Sequence, residues 1–240
     1  MVRDEAFIAI ISHARAANVA PMQKLVGDSV TWFVGDGEGN DYLEAGARHV
    51  IESGKLCPSR NAALEAAFKQ GKPCVQLSDD LRKVQLAAVL PGAAKPKAID
   101  LTFDDALQIL LETTQAIGAK FGGVAPTANA YFFNPNKPVH DRAFIVGDFV
   151  LCIPCDLRWD ENLKLKEDYD LTMQHIRAFG RVARCNSILA TFLHRSNKGG
   201  AVDFRTPDRE QEAIAYLKSK WGDAIQDNKK RADEILLRLK

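Results

Sequence analysis

Apolar residues along this chain fall into two textures. In the first half, short unbroken apolar runs alternate with polar turns. Ala6 to Ser12 and Val30 to Val34 predict strands buried on both faces. The first is followed by a polar loop, His13 to Pro21, and a short helix around Met22 to Val26; the second stops at the turn cluster Gly35 to Asn40. Tyr42 to Ser53 carries mixed helical and strand signals, after which Ser59 to Phe68 predicts an amphipathic helix with Ser59 as N-cap and Gly71 as its stop. Lys72 to Leu77 is the next strand. It ends abruptly in Ser78-Asp79-Asp80, and the stretch from Asp80 to Leu86 then has helix-compatible spacing.

The second half is more mixed. Thr102 is an N-cap for a helix from Phe103 to Ile117, on which Leu107, Leu110, Leu111 and Thr114 recur at helical spacing. Gly122-Gly123 breaks the chain after it. Ala128 to Phe133 and Phe144 to Ile153 predict strands, Leu165 to Ile176 a helix that begins acidic, and Val182 to Leu193 a mostly apolar run before the loop Ser196 to Gly200. A helix from Glu212 to Trp221 and a charged terminal helix from Asn228 to Leu239, with Ile235, Leu236 and Leu239 as a thin apolar stripe, complete the pattern. The order of strands and helices predicts an α/β fold with a wound sheet flanked by helices over residues 1–206, and a helical extension over residues 207–240 packed on it.

Composition narrows the picture. A hydrophobic content of 46% over 240 residues is enough to bury a full core, and 32 basic against 31 acidic residues leave no overall electrostatic argument for a nucleic-acid coat. No apolar run approaches membrane-spanning length, and the five apolar residues from Phe7 to Ile11 are too few for a secretory signal. Five cysteines in mostly apolar surroundings suit free thiols in a reducing compartment, which predicts a cytoplasmic protein. Cys152 and Cys155 have the spacing of a redox pair, but in a strand their thiols would point apart. The glycines at positions 35, 37 and 39 lack the helix-opening third glycine of a dinucleotide fingerprint.

Candidate chemistry centres on Asp79 and Asp80. Adjacent carboxylates repel unless a cation lies with them, and the usual occupant is a divalent metal bearing phosphate oxygens on its far side. The other reading is that they cap the following segment. The same two-way choice applies to Glu167, Asp168 and Asp170, which either carry chemistry or favour the first turn of their helix. Arg60 is either an anion-binding fork at a helix start or a surface ion-pair partner.

In combination, Arg60-Asn61 opening a helix, an apolar strand ending in Ser78-Asp79-Asp80, and Glu167-Asp168-Tyr169-Asp170-Leu171 heading a later helix resemble the GT-A class of nucleotide-sugar glycosyltransferases, from about residue 6 to about residue 200. With Gly-Arg-Val-Ala-Arg at 180–184 and Asn-Lys-Gly-Gly at 197–200, the pattern looks most like the TET-associated glycosyltransferases. Members of that group occur in phages and are implicated in adding sugars to hydroxymethylated bases of DNA. The resemblance implies a nucleotide-sugar donor, UDP-linked, a divalent Mn²⁺ or Mg²⁺ cofactor, a DNA acceptor, no membrane partner, and the host cytoplasm as location.

Residue by residue, the resemblance implies Asp80 and His194 as metal ligands and Asp168 as the general base that deprotonates the acceptor hydroxyl. It implies donor contacts from Ser12, His13, Arg15, Asp36, Arg60, Asn61, Ser78, Asp79 and Lys198, and acceptor contacts from Arg181 and Arg184. The chain departs from the family at Ser78, where the usual motif has its first acid; a serine is a weak ligand for a hard cation, leaving either a weak metal site or a ribose role. Three alternatives remain open: a glycosyltransferase with a non-DNA acceptor, a nucleotidyltransferase, and a non-catalytic nucleotide-binding or interaction module.

Overall fold

The computed structural model describes residues 2–193, 205–230 and 234–239. After a short α1 (Val2–Glu5), the chain runs through β1 (Phe7–Ile11), α2 (Val19–Val26), β2 (Thr31–Val34), α3 (Gly39–Glu44), β3 (His49–Glu52), α4 (Leu56–Phe68) and β4 (Cys74–Ser78). These strands are parallel neighbours in the order β3-β2-β1-β4. Alternation along them sends side chains to two cores. Ile8 and Ile10 join Met22, Val26, Trp32 and Leu107 on one face, whereas Ala9 and Ile11 join Phe33, Leu64, Ala67 and Leu171 on the other.

β5 (Leu81–Ala88) and β6 (Lys97–Asp100) leave this sheet for a second one, before α5 (Phe103–Ala116) leads back to β7 (Phe121–Val124). β8 (Val139–His140), β9 (Phe149–Cys152), α6 (Glu167–Phe179), β10 (Ala183–Cys185) and β11 (Ile188–Phe192) follow. The large sheet has eight strands, β3-β2-β1-β4-β9-β7-β10-β8, with β9 antiparallel between β4 and β7, and β8 antiparallel at the edge. The small sheet is β11-β5-β6. The fold is therefore α/β with a mixed sheet flanked by helices, as expected. Because β9 reverses direction against both neighbours, β7 points the same way as β1 and β4, and all their carboxyl ends share one edge.

Several local expectations change. The stretch after Asp80 is strand β5, not helix; Leu81 and Val84, three apart, are both buried because the pairing with β11 passes a register shift at Thr191/Phe192, opposite Leu81 to Lys83. Gly122 and Gly123 do not break the chain but form the centre of β7. A side chain at Gly122 would overlap Thr114 of α5, and one at Gly123 would overlap Ile145. The strand expected over Ala128 to Phe133 is a 3₁₀ turn, Ala130–Phe132, because the Asn129 side chain accepts a hydrogen bond from the Tyr131 amide at 3.0 Å and closes a turn instead. Of the run from Phe144 to Ile153, only β9 pairs.

Among its described residues the C-terminal extension holds one α-helix, α7 (Pro207–Trp221), capped by Thr206. The expected terminal helix is replaced by a hairpin of β12 (Ile225–Asp227) and β13 (Ile235–Leu237), in which Ile235 is buried and Leu236 is 51% exposed, the period of a strand. Leu163, Leu165, Ile214, Leu217, Ile225 and Ile235 form the cluster that fixes the extension to the domain. Asp170, fully buried, completes the attachment: its carboxylate accepts from Trp221 Nε1 at 2.7 Å, Lys220 Nζ at 2.8 Å and Gln174 Nε2 at 2.7 Å. Asp170→Asn is expected to destabilise the protein by about 2 kcal/mol, since hydrogen bonds to charged groups are lost from a buried position. Leu236→Ala is expected to be within a few tenths of a kcal/mol of the parent. Denaturant midpoints of the two variants check both.

Candidate functional site

β1 leads on to β2 on one side and β4 to the strands on its other side, so the loops beyond their carboxyl ends meet where a wound sheet of this kind has its crevice, the usual ligand position. Ser12 and Arg15 enter it from the end of β1, and Asp79 and Asp80 from the end of β4. A ring of hydrogen bonds closes between them. The Arg15 amide donates to Tyr42 Oη at 3.0 Å, the Tyr42 and Ser12 hydroxyls lie 2.6 Å apart, the Ser12 hydroxyl donates to Asp79, and Arg15 Nη1 donates to Asp79 Oδ1 at 3.0 Å. The same Nη1 is 4.0 Å from Asp80 Oδ2. The cation expected beside the paired acids is thus present in the chain itself. Burial pushes the Asp79 carboxyl up, against the opposing pull of Ser12 and Arg15, while Asp80 adds to the rise.

Beside this ring, His13 Nδ1 pairs with Glu38 Oε1 at 2.5 Å, and the Ala14 amide donates to Glu38 Oε2 at 2.8 Å. Ala14 is held at φ 54°, a left-handed conformation costly for alanine, so Glu38 holds the loop in a strained shape over the crevice. Asp36 remains exposed at the end of β2, on the same edge.

Asp168 approaches from the first turn of α6. Its Oδ2 accepts from the Gly147 amide at 3.2 Å and its Oδ1 from the Tyr169 amide at 3.0 Å. The neighbouring Asp148 makes two contacts with Ser78: its Oδ1 accepts from the Ser78 hydroxyl at 2.9 Å, and its carbonyl accepts from the Ser78 amide at 2.8 Å. The end of β4 and the head of α6 are therefore joined through Ser78, Asp148, Gly147 and Asp168. Burial, and then the charge of Glu167, push the Asp168 carboxyl up to about 7, although the Gly147 amide pulls it down.

Arg60 does not reach the crevice as a donor contact. It is 4% exposed and lies 4.3 Å over the Trp159 ring, with Nη2 3.5 Å from Glu167 Oε1 and Nη1 3.3 Å from Gln76 Oε1. Its fork is taken up inside the fold because Gln76, a polar residue at the centre of β4, turns toward it and donates back to its carbonyl at 2.7 Å. The guanidinium faces the acidic head of α6 and, after burial, is the main influence on Glu167, whose carboxyl it draws down against the upward push of burial. Gly147 passes between these groups; a Cβ there would be 2.9 Å from Arg60 Nη2 and 3.4 Å from Asp168 Cβ. Asn61 is also a structural residue, with its amide bonded to the backbone of Trp159 in both directions, at 2.9 and 3.0 Å.

Arg181 precedes β10 and donates to the Ile117 carbonyl at 2.7 Å, which puts it at the opposite edge of the sheet from Asp79. Arg184 is half-buried and bonded to Asn186 and to the Phe144 carbonyl, and burial lowers its pKa. Neither contributes to the crevice. Cys152 and Cys155 are free, and burial raises both thiols, which removes the basis for a reactive redox pair. His194 and Lys198 lie outside the described residues. Among the described residues, no three His, Cys, Asp or Glu side chains gather to hold a metal ion. With both Asp79 oxygens engaged by Ser12 and Arg15, the acids at the end of β4 do not by themselves fit the expected cation.

Tyr42, Asp148, Gly147 and Gln76 escaped sequence reasoning. Only Gln76, a lone amide in an otherwise apolar strand, carried a signal. No family model matches the chain, and no curated protein matches it. No described helix is long and apolar enough to cross a membrane.

With a folded pKa of about 7 against the usual 3.8, Asp168 holds a proton in the native state that the unfolded chain releases. Its favourable contribution is complete below about pH 4 and is lost as pH rises through 7. Asp168→Asn is expected to flatten the fall in stability between pH 5 and pH 8, measured as thermal midpoints in matched buffers. Gly147→Ala is expected to cost about 2 kcal/mol by overpacking Arg60 against Asp168, read as a shift in the denaturant midpoint.

Proposed function

We propose that the protein is a nucleotide-sugar glycosyltransferase of the GT-A class that transfers a glycosyl group from a UDP-sugar to a hydroxyl, with a 5-hydroxymethylpyrimidine of phage DNA as acceptor. The observation that carries this reading is the meeting, at one sheet edge, of the Ser12-Arg15-Asp79-Asp80 crevice with a carboxyl of raised pKa, Asp168, through the Ser78-Asp148 link. A crevice at a strand switch point suits a nucleotide. A carboxylate near pKa 7 suits a general base working at neutral pH.

In the reaction, the acceptor oxygen forms a bond to the anomeric carbon as the bond from that carbon to the diphosphate breaks, and Asp168 takes the hydroxyl proton. Asp79, fixed by Ser12 and Arg15, presents a rigid wall to the nucleoside. Arg60 steadies Glu167 and, through it, the turn that carries Asp168. A divalent metal would need partners beyond Asp80. A non-catalytic nucleotide-binding module is the second reading, favoured by the engagement of Asp79, which spends on internal contacts the oxygens that a metal site would use.

The test is incubation with a panel of UDP-sugars, Mn²⁺ and hydroxymethylcytosine DNA, followed by mass spectrometry of the nucleosides and assay of released UDP. Transfer is expected to rise with pH along a limb centred near 7. Asp168→Asn is expected to lower it at least a hundredfold while UDP still raises the thermal midpoint. Absence of UDP release together with absence of any nucleotide-dependent thermal shift would sink the proposal.

A further inference from the structure

Positive charge and exposed aromatic rings concentrate on a surface at the far end of β5 from Asp80. Residues 81–99 and 113–140 contain no acid; of their lysines, Lys83 is paired with Asp100 at 2.8 Å and Lys120 precedes β7 at the other sheet edge, which leaves Lys95, Lys97 and Lys137. In a chain of net charge +1 these two stretches stand out, and the fold brings them together, the turn Ala130–Phe132 packing beside β6. Lys95, Lys97 and Lys137 are exposed, and none has a carboxylate partner among the described residues.

The aromatic component is held, not loose. Ala130 and Phe133 point inward with Ala87, Ala125 and Leu189, while the Asn129 cap closes the turn. Tyr131 and Phe132 are thereby turned outward, 67% and 69% exposed, well above every other large apolar side chain described. Their rings meet edge to face at 5.5 Å, and Lys95 Nζ lies 5.9 Å from the Tyr131 ring. Burying neither ring leaves apolar surface in water, which a fixed turn would normally avoid. A cleft of about 800 Å³ runs between Lys95, Pro96 and Lys97 on one side and Thr127, Asn129 and Tyr131 on the other.

The turn follows the carboxyl end of β7, on the sheet edge that bears the candidate site, whereas Lys97 pairs with Ala88, at the far end of β5 from Asp80.

From this surface we infer a binding site for single-stranded nucleic acid, with bases stacked on Tyr131 and Phe132 and phosphates neutralised by Lys95, Lys97 and Lys137. Stacking needs an exposed base face, which a paired duplex withholds, and lysines beside an aromatic platform are the general solution for holding a strand without reading its sequence. A neutral glycan would use the rings but not three acid-free lysines. An anionic membrane would use the lysines but leave the edge-to-face ring pair without a role. Binding stands on this surface alone; that the strand held here is the sugar acceptor, with its modified base already out of the stack, rests on the glycosyltransferase reading.

Fluorescence anisotropy with fluorescein-labelled dT20, and with the same strand paired to dA20, tests the inference on the full chain. The single strand is expected to bind more tightly than the duplex. The double variant Tyr131→Ala/Phe132→Ala is expected to weaken single-strand binding at least tenfold. Lys95→Gln/Lys97→Gln is expected to reduce the slope of log affinity against log salt by about 1 to 2. All four positions are exposed, and UDP-dependent thermal shifts of the variants are expected to match the parent. No single-strand binding, tighter duplex binding, or binding indifferent to both variants overturns the inference, as does equal variant-sensitive binding to phosphatidylserine vesicles in place of the oligonucleotide. Sugar transfer to a free nucleoside with no strand binding removes this surface and keeps the enzyme; variant-sensitive strand binding without UDP release or UDP-dependent shift does the reverse.

Discussion

Acidic groups brought to one edge of a sheet repel each other, and the structure depends on largely buried arginines that offset this. Arg15 lies against Asp79 and Asp80, and Arg60 lies against Glu167 beneath Asp168. Charges withdrawn from water are tolerated when they are paired and hydrogen-bonded, so each cluster is stiff. The Ser12 and Tyr42 hydroxyls complete one pairing; Gln76 and the Trp159 ring complete the other. Each arginine also ties distant parts of the chain: Arg15 joins the loop after β1 to the end of β4, and Arg60 joins α4 to the head of α6.

This arrangement divides the acids by role. Asp170 is spent on anchoring α7 through Trp221 and Lys220, Glu167 on the ion pair with Arg60, and Asp79 on the ring with Ser12. Asp168 is different, because its oxygens meet backbone amides while burial, and then the charges of Glu167 and Asp148, raise its pKa. Three acids within four residues of one helix thus differ in chemistry because their surroundings differ.

The near-neutral charge of the whole chain conceals a separation. Acids gather at the crevice and at the head of α6, whereas the two stretches that form the lysine-lined cleft have none. Overall charge, being a sum, carries no information about such a division.

Local patterns in the sequence were enough for the wound α/β half, for α5 with its Thr102 cap, and for Asp79 and Asp80 at a strand end, since continuous apolar runs and caps are short-range signals; Ser12 and Arg15 came only from the resemblance. Local patterns were misleading where pairing partners lie far away. Asp80 to Leu86 read as helix until β11 pairs with Leu81, Val84 and Leu86; Ile235 and Leu236 read as helix until Ile225 and Gln226 face Leu237 and Leu236. The site divides in the same way. Residue type and position left Glu167, Asp168 and Asp170 alike, and only the resemblance singled out Asp168; that Asp170 is an anchor and Glu167 half of an ion pair is decided by what surrounds them. The partnership of Ser78 with Asp148, 70 positions apart, and the withdrawal of Arg60 beneath Gln76 exist only once β4, β9 and α6 are assembled. Burial and charge pairing act through space, and only tertiary structure sets those distances.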